Sequence, residues 1–189
     1  MLRVDESRCG VVEPAGTLRF LSLTDGRELS QANVSRPKLL SMAHVFADDL
    51  RLFVILSGPV TEAKWLNTAQ DRGNYRRPLL NGWLHAFDRL SLKLLWTIPA
   101  ENLPFAVDQP NDLPFFVLPY KRPSDDSTDG QHADGVLHLI DKRTGEKVFF
   151  AAAGLNNVYF ALEPDSLQQR IDVLMQKTRL RLEYGREAD

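Results

Sequence analysis

The chain has 189 residues, with 23 Lys and Arg against 25 Asp and Glu, 43% hydrophobic and 9% aromatic content, a globular balance that excludes collagen-like, disordered and disulfide-scaffold classes. A formal net charge of −2 lacks the basic footprint from which nucleic-acid binders draw affinity, so nucleic acid is not expected as a partner. The single cysteine, Cys9, excludes an intramolecular disulfide and a multi-cysteine zinc site and leaves the redox compartment open.

In chain order, the first nine residues place Asp5, Glu6 and Arg8 where a secretory signal needs an unbroken apolar stretch. Cys9 is therefore not read as a lipoprotein cysteine, and the compartment stays open between the cytoplasm and a piece of a longer exported protein. Leu18 and Phe20 alternate with Arg19 and Leu21 at strand period. A second strand, Leu50 to Leu56, ends at Ser57, Gly58 and Pro59, far short of the roughly 20 apolar residues of a membrane helix, so no membrane insertion is expected. Leu84 and Ala86 alternate with His85 and Phe87, and Leu137 and Leu139 with His138 and Ile140. Between them Phe115 to Tyr120 is a further strand, and Asn157 to Leu162 another, stopped by Glu163 and Pro164. Arg170 to Val173 and Arg179 to Tyr184 alternate charged with apolar residues and read as a hairpin turning over Gln176, Lys177 and Thr178. A helix over 166–176 competes, because Leu167, Ile171 and Leu174 share one helical face behind Asp165 or Ser166 as N-cap. Gly185 to Asp189 are expected to fray.

Superimposing the segments that start at Gly82 and Gly135 aligns Leu84 with Leu137, His85 with His138, Asp88 with Asp141, and Trp96 with Phe149. A weaker third copy starts at Gly16, with Leu18, Phe20 and Gly26 in register and Ser22 in place of the aspartate. The Asp-x-x-x-Gly step from Asp141 to Gly145 supplies a side-chain acceptor for turn N–H groups and a glycine free to take positive φ. Leu92 stands at that glycine position in the second copy, which predicts a different turn or a decayed repeat.

Gly82, Leu84, Ala86, Asp88 and Trp96, with Gly135, Leu137, Asp141, Thr144 and Gly145, carry a pattern that resembles the repeat of pyrroloquinoline-quinone-type β-propellers over roughly residues 16 to 150. The resemblance implies an all-β fold of antiparallel blades, six to eight in a complete propeller, with the final aromatic wedged between blades, so Trp96 is expected to be buried. It does not imply quinone chemistry, because the vicinal disulfide of quinone-using members cannot form from Cys9 alone. About three blades are expected within one module spanning 1–189. Repeat copies fall near 16–56, 82–118 and 135–162, and the C-terminal hairpin over 165–185. Three blades do not close a ring, so the chain is expected to be the C-terminal part of a longer propeller or a product that assembles with something else. Its end faces should then leave apolar residues in water.

No Gly-rich phosphate loop, nucleophile elbow or His-Glu-x-x-His motif is present, so no catalytic residue, cofactor or metal is assigned. His85 and His138 read as repeat-equivalent packing residues, since His44 and His132 share no such spacing. Asp125, Ser127, Asp129 and Gly130 imitate the first half of a calcium loop, but Val136 stands where the bidentate carboxylate belongs. The candidate binding face consists of two insertions just before the repeat glycines. Residues 57–81 carry Lys64, Trp65, Arg72, Tyr75, Arg76 and Arg77, and residues 119–134 carry Lys121, Arg122, Asp125, Asp126, Asp129 and His132. Their opposite charge favours mutual contact, worth only about 0–1 kcal/mol per exposed pair. The function expected is a non-catalytic module for protein binding or scaffolding, whose partners are the remaining blades of a larger propeller, another protein, or further copies of the chain. The alternatives are a fragment of a redox or hydrolytic propeller enzyme with its catalytic residues elsewhere, and a structural segment with no ligand.

Overall fold

The computed structural model describes residues 1–59, 79–105, 109, 111–123, 133–152, 160–175 and 178–184. The regular elements among these residues are all strands apart from one 3-10 turn, Ser166–Gln168. Strands β1 (Leu2–Arg3), β2 (Arg8–Val12), β3 (Thr17–Ser22) and β4 (Glu28–Asn33) form the first sheet. The second holds β5 (Met42–Ala47), β6 (Arg51–Ser57), β7 (Leu79–Asp88) and β8 (Leu94–Pro104). The third holds β9 (Phe115–Pro123), β10 (Ala133–Asp141) and β11 (Lys147–Ala152), and the fourth β12 (Phe160–Asp165), β13 (Arg170–Met175) and β14 (Thr178–Glu183). Each sheet is a meander with its strands in chain order, the sheet form of a propeller blade, and none closes on itself.

The chain divides into two compact units, one built from the first two sheets and the other from the last two. In the first unit Leu18 and Phe20 of β3 pack with Leu52, Val54 and Leu56 of β6 and Phe87 of β7. These are alternate residues of their strands, so one face of each sheet is dedicated to the other. Phe20 meets Phe87 edge-on at a centroid distance of 5.1 Å, an arrangement that adds about 0.5–1.5 kcal/mol beyond the area buried. In the second unit Val117, Leu137 and Leu139 of the third sheet pack with Ile171 and Val173 of the fourth, and Phe115 meets Tyr184 at 5.8 Å.

The repeat alignment reappears as geometry. The turns after β3, β7 and β10 are closed by the same bond: Gly26 N–H donates to the Ser22 carbonyl at 3.0 Å, Leu92 N–H to Asp88 at 2.9 Å and Gly145 N–H to Asp141 at 2.8 Å. All three donors adopt positive φ, 71° at Gly26, 57° at Leu92 and 75° at Gly145. The expectation of a different turn at Leu92 is therefore overturned. A leucine is tolerated there because its side chain, 3% exposed, enters the core with Leu18, Phe20 and Phe87. Its burial offsets the roughly 1–2 kcal/mol that a left-handed conformation costs a residue with a Cβ. Gly82 is required for another reason, since a Cβ there would run into the Leu56 backbone carbonyl of β6.

Two further expectations change and one holds. Glu163 and Pro164 do not stop a strand but lie inside β12, which is tolerated because β12 is an edge strand and proline there sacrifices no interior ladder bond. The C-terminal segment forms the hairpin rather than the helix, with Met175 opposite Thr178, and β12 adds a third strand to it. Trp96 is half-buried rather than buried; its ring leans on Phe53 of its own sheet at 6.0 Å. The fraying expected of Gly185 to Asp189 falls outside the described residues.

Leu92→Gly removes the backbone strain and the core contact together. Buried leucine truncation costs about 2–5 kcal/mol, more than the strain released, so denaturant unfolding is expected to show a net loss of about 1–3 kcal/mol. A gain in stability would mean that the turn, not the side chain, dictates this position.

Candidate functional site

The repeat gives each hairpin three positions that hold polar side chains in at least two copies. They are the residue between the paired apolar ones (Arg19, His85, His138), the turn acceptor (Ser22, Asp88, Asp141) and the residue after it (Leu23, Arg89, Lys142). These are the places where chemistry would be expected, and each has a local task.

His85 is fully buried and lies opposite Val54 of β6, on the face turned to the first sheet. Its Nε2 is 2.8 Å from the Ser35 carbonyl. That oxygen only accepts, so Nε2 carries the proton and Nδ1 accepts from the Thr97 hydroxyl at 2.9 Å. The imidazole is thereby satisfied while neutral. Burial pushes its pKa down to about 4, against the opposing pull of the Ser35 carbonyl. His138, half-buried at the same repeat position of β10, is also lowered, by burial first and by the charge of Lys147 second. His44 sits on β5 opposite Ile55, and His132 lies outside the described residues.

The repeat carboxylates cap turns. Asp88 accepts from the Ser91 N–H and the Ser91 hydroxyl, both at 2.7 Å, and these bonds hold its carboxyl below the usual range. Asp141 accepts from the N–H groups of Arg143 at 2.5 Å and Thr144 at 3.1 Å, while Ser22 does the same work with one bond, from Thr24 N–H at 3.2 Å. Asp5 and Arg8 at the N-terminus also fasten a turn. Arg8 Nε donates to the Asp5 carboxylate at 2.7 Å and Nη1 to the Arg89 carbonyl of the second sheet at 2.9 Å. Burial alone would raise the Asp5 carboxyl, but the bonds from Arg8 and Ser7 bring it down to about 2.

Sequence reasoning missed the residue after the turn acceptor. Its N–H reaches back to the preceding turn in all three hairpins, from Leu23 to Ser7 at 2.7 Å, from Arg89 to Leu50 at 2.9 Å and from Lys142 to Pro114 at 2.9 Å. In two copies a basic side chain repeats the gesture. Arg89 Nη1 donates to the Asp48 carbonyl at 2.7 Å, and Lys142 Nζ to the Asn111 carbonyl at 2.8 Å while lying 5.0 Å over the Phe116 ring. The available signal was the Asp-Arg and Asp-Lys steps in the aligned copies. Gln109 was missed as well. Its buried Oε1 accepts the Val117 N–H of edge strand β9 at 2.8 Å, the position that a fourth strand would occupy.

Of the predicted binding face, Lys64, Trp65, Arg72, Tyr75, Arg76, Arg77, Asp125, Asp126, Asp129 and His132 lie outside the described residues. Lys121 and Arg122 are not loop residues but strand residues of β9, opposite Gly135 and Asp134 of β10. The insertions are thus narrower than expected, because strand pairing runs through Leu79–Asn81, Pro119–Pro123 and Ala133–Asp134. The first is pinched at its root, where Gly58 N–H donates to the Asn81 carbonyl at 2.9 Å, Asn81 N–H to Ser57 Oγ at 2.8 Å and Asn81 Nδ2 to the Pro59 carbonyl at 2.8 Å. Each insertion leaves its sheet between the strand before the repeat hairpin and the hairpin itself, at the end opposite the repeat turn. Among the described residues no group of three or more His, Cys, Asp or Glu is arranged to hold a metal ion. The segment Asp125–Gly130 is not among them.

The burial of His85 fixes a pH response. The folded ring has a pKa of about 4 against 6.5 for the ordinary group, so between those values the unfolded chain binds a proton that the folded chain refuses. Its contribution to stability is complete above about pH 6.5, falls as the pH drops, and is lost by about pH 4, for a total of up to about 3 kcal/mol. Urea midpoints of the parent and of His85→Gln should converge over that interval; a constant difference between them would contradict a neutral buried ring.

No family model matches the chain, and the search of curated proteins finds no match. Among solved structures, the chain is similar to quinohemoprotein alcohol dehydrogenase from Comamonas testosteroni, at 10% identity and a TM-score of 0.44, over 96% of this chain and 34% of that one. It is also similar to a eukaryotic initiation factor, at 10% identity and a TM-score of 0.32, over 100% of this chain and 56% of that one. The chain spans about a third of the length of the dehydrogenase and just over half of the initiation factor. At TM-scores below 0.5 neither likeness assigns a family.

Proposed function

We propose that this chain is a non-catalytic, quinoprotein-like β-propeller module whose role is protein binding or scaffolding within a larger propeller or assembly. One observation carries the reading. The repeat positions rich in chemically capable side chains are committed to the fold: His85 is buried and doubly hydrogen-bonded, Asp88 and Asp141 cap turns, and Arg89 and Lys142 tie each hairpin to the turn before it. A side chain held by the turns and strands of its own blade does not turn to a substrate without loosening them.

The binding segments proposed are the two long connections, each taken by itself, which leave equivalent places in the second and third sheets. Lys64, Arg72, Arg76 and Arg77 give the first a basic character, with Trp65 and Tyr75 as aromatic anchors. Asp125, Asp126 and Asp129 make the second acidic, with His132 beside them and Lys121 and Arg122 at its root on β9. Each connection suits a partner segment of the opposite charge, and another copy of the chain offers both.

Sedimentation at micromolar concentration tests this. The parent chain is expected to sediment above the 21.4 kDa of one copy. Replacing Lys64, Arg72, Arg76 and Arg77 with Gln and Asp125, Asp126 and Asp129 with Asn is expected to return it to a single copy. A compact monomer in both cases would leave the assembly role without support.

A further inference from the structure

The face of the fourth sheet turned away from its core carries a lattice of charges. Strand alternation and register place Asp165, Arg170 and Glu183 in one row across the three strands and Glu163, Asp172 and Arg181 in the next, with Arg179 beyond, opposite the half-buried Leu174. Four acids thus face three bases, and most are joined. Arg181 grips Asp172 with two bonds, Nε to Oδ1 at 2.8 Å and Nη2 to Oδ2 at 3.1 Å. Arg179 Nη2 reaches Glu163 at 3.0 Å and its Nε lies 3.7 Å from Asp172, while Arg170 pairs with Asp165 at 3.1 Å. The Asp172 side chain is 8% exposed beneath its arginines, but Arg179 and Glu163 are each 54% exposed and Arg181 43%.

The opposite face of the same three strands carries Leu162, Ile171, Val173, Leu180 and Leu182 into the core. Every seam between neighbouring sheets within a unit is made of side chains of that apolar kind. Seating another blade on the outer face would strip water from seven charges, and the apolar face of a blade offers no groups to replace that hydration.

We infer that the fourth sheet is a polar cap: its outer face is an ion-paired surface built for water, and neither a further blade nor a second copy of this chain packs upon it. This reverses, for that face, the expectation of exposed apolar residues at the end of the array. It is the logic of terminal repeats in stacked proteins, whose outer faces are polar where inner ones are apolar. The inference rests on the sheet alone and holds whatever the two long connections bind; of the settings proposed above it excludes a ring of blades that continues over this face, and association through the cap is what would break it.

Thiol labelling of Glu163→Cys decides the matter, with the buried Cys9 as a protected internal reference. The new thiol is expected to react at one rate from nanomolar to high micromolar concentration, whether or not the chain associates. A rate that falls about tenfold as the chain associates, the protection expected if some nine-tenths of the copies bury it, would overturn the cap. A second variant, Glu163→Val with Arg179→Leu and Arg181→Leu, is expected to associate at lower concentration than the parent. If it sediments as the parent does, charge is not what keeps this face free.

Discussion

A β-meander with one apolar face has no stable existence alone; it must lay that face on another sheet. In the first unit this requirement is met at a single seam, where Leu18 and Phe20 lie on Leu52, Val54, Leu56 and Phe87. Each such side chain, fully buried, contributes roughly 1.5–3 kcal/mol. The rest of the unit is arranged around the seam. Leu92 accepts a left-handed backbone to put its side chain there, and His85 closes its flank by bridging Ser35 and Thr97. Arg8 spans the two sheets at their turns by bonding Asp5 in one and the Arg89 carbonyl in the other.

The same demand explains where the acids and bases of the repeats stand. A tight hairpin leaves N–H groups unpaired at its turn, and a short acid such as Asp88 or Asp141 satisfies them at once. A basic residue beside it satisfies carbonyls of the neighbouring turn. Repetition of the hairpin therefore repeats the acid and the base.

Much of the hairpin framework was legible because it is written in short-range terms. Gly16, Gly82 and Gly135 with their alternating apolar residues mark β3, β7 and β10, and Gly26 and Gly145 mark left-handed turn positions. Leu92 was misjudged because sequence pattern exposes the strain of a leucine at positive φ but not the core pocket that offsets it. Strands β1, β2 and β5 were not expected at all. Leu2–Arg3 is two residues long, and Met42–Ala47 shows half-burial along its whole length instead of an alternating pattern. Pro164 misled in the other direction, since whether a strand lies at an edge is a property of the sheet and not of the segment. The basic residues after Asp88 and Asp141 carried a visible pattern whose meaning depended on a turn distant in sequence. For the candidate site, the sequence located both insertions to within a few residues but could not show that strands β7, β9 and β10 extend into them.

The central claim is that paired sheets hold each other through a shared apolar seam, and the contact of Phe20 with Phe87 at 5.1 Å is where it can be measured most directly. A double-mutant cycle with Phe20→Leu, Phe87→Leu and the combined variant, read by denaturant unfolding, should return a coupling energy of about 0.5–1.5 kcal/mol. Strictly additive losses would mean that the two rings do not touch and that the first two sheets are not packed face to face.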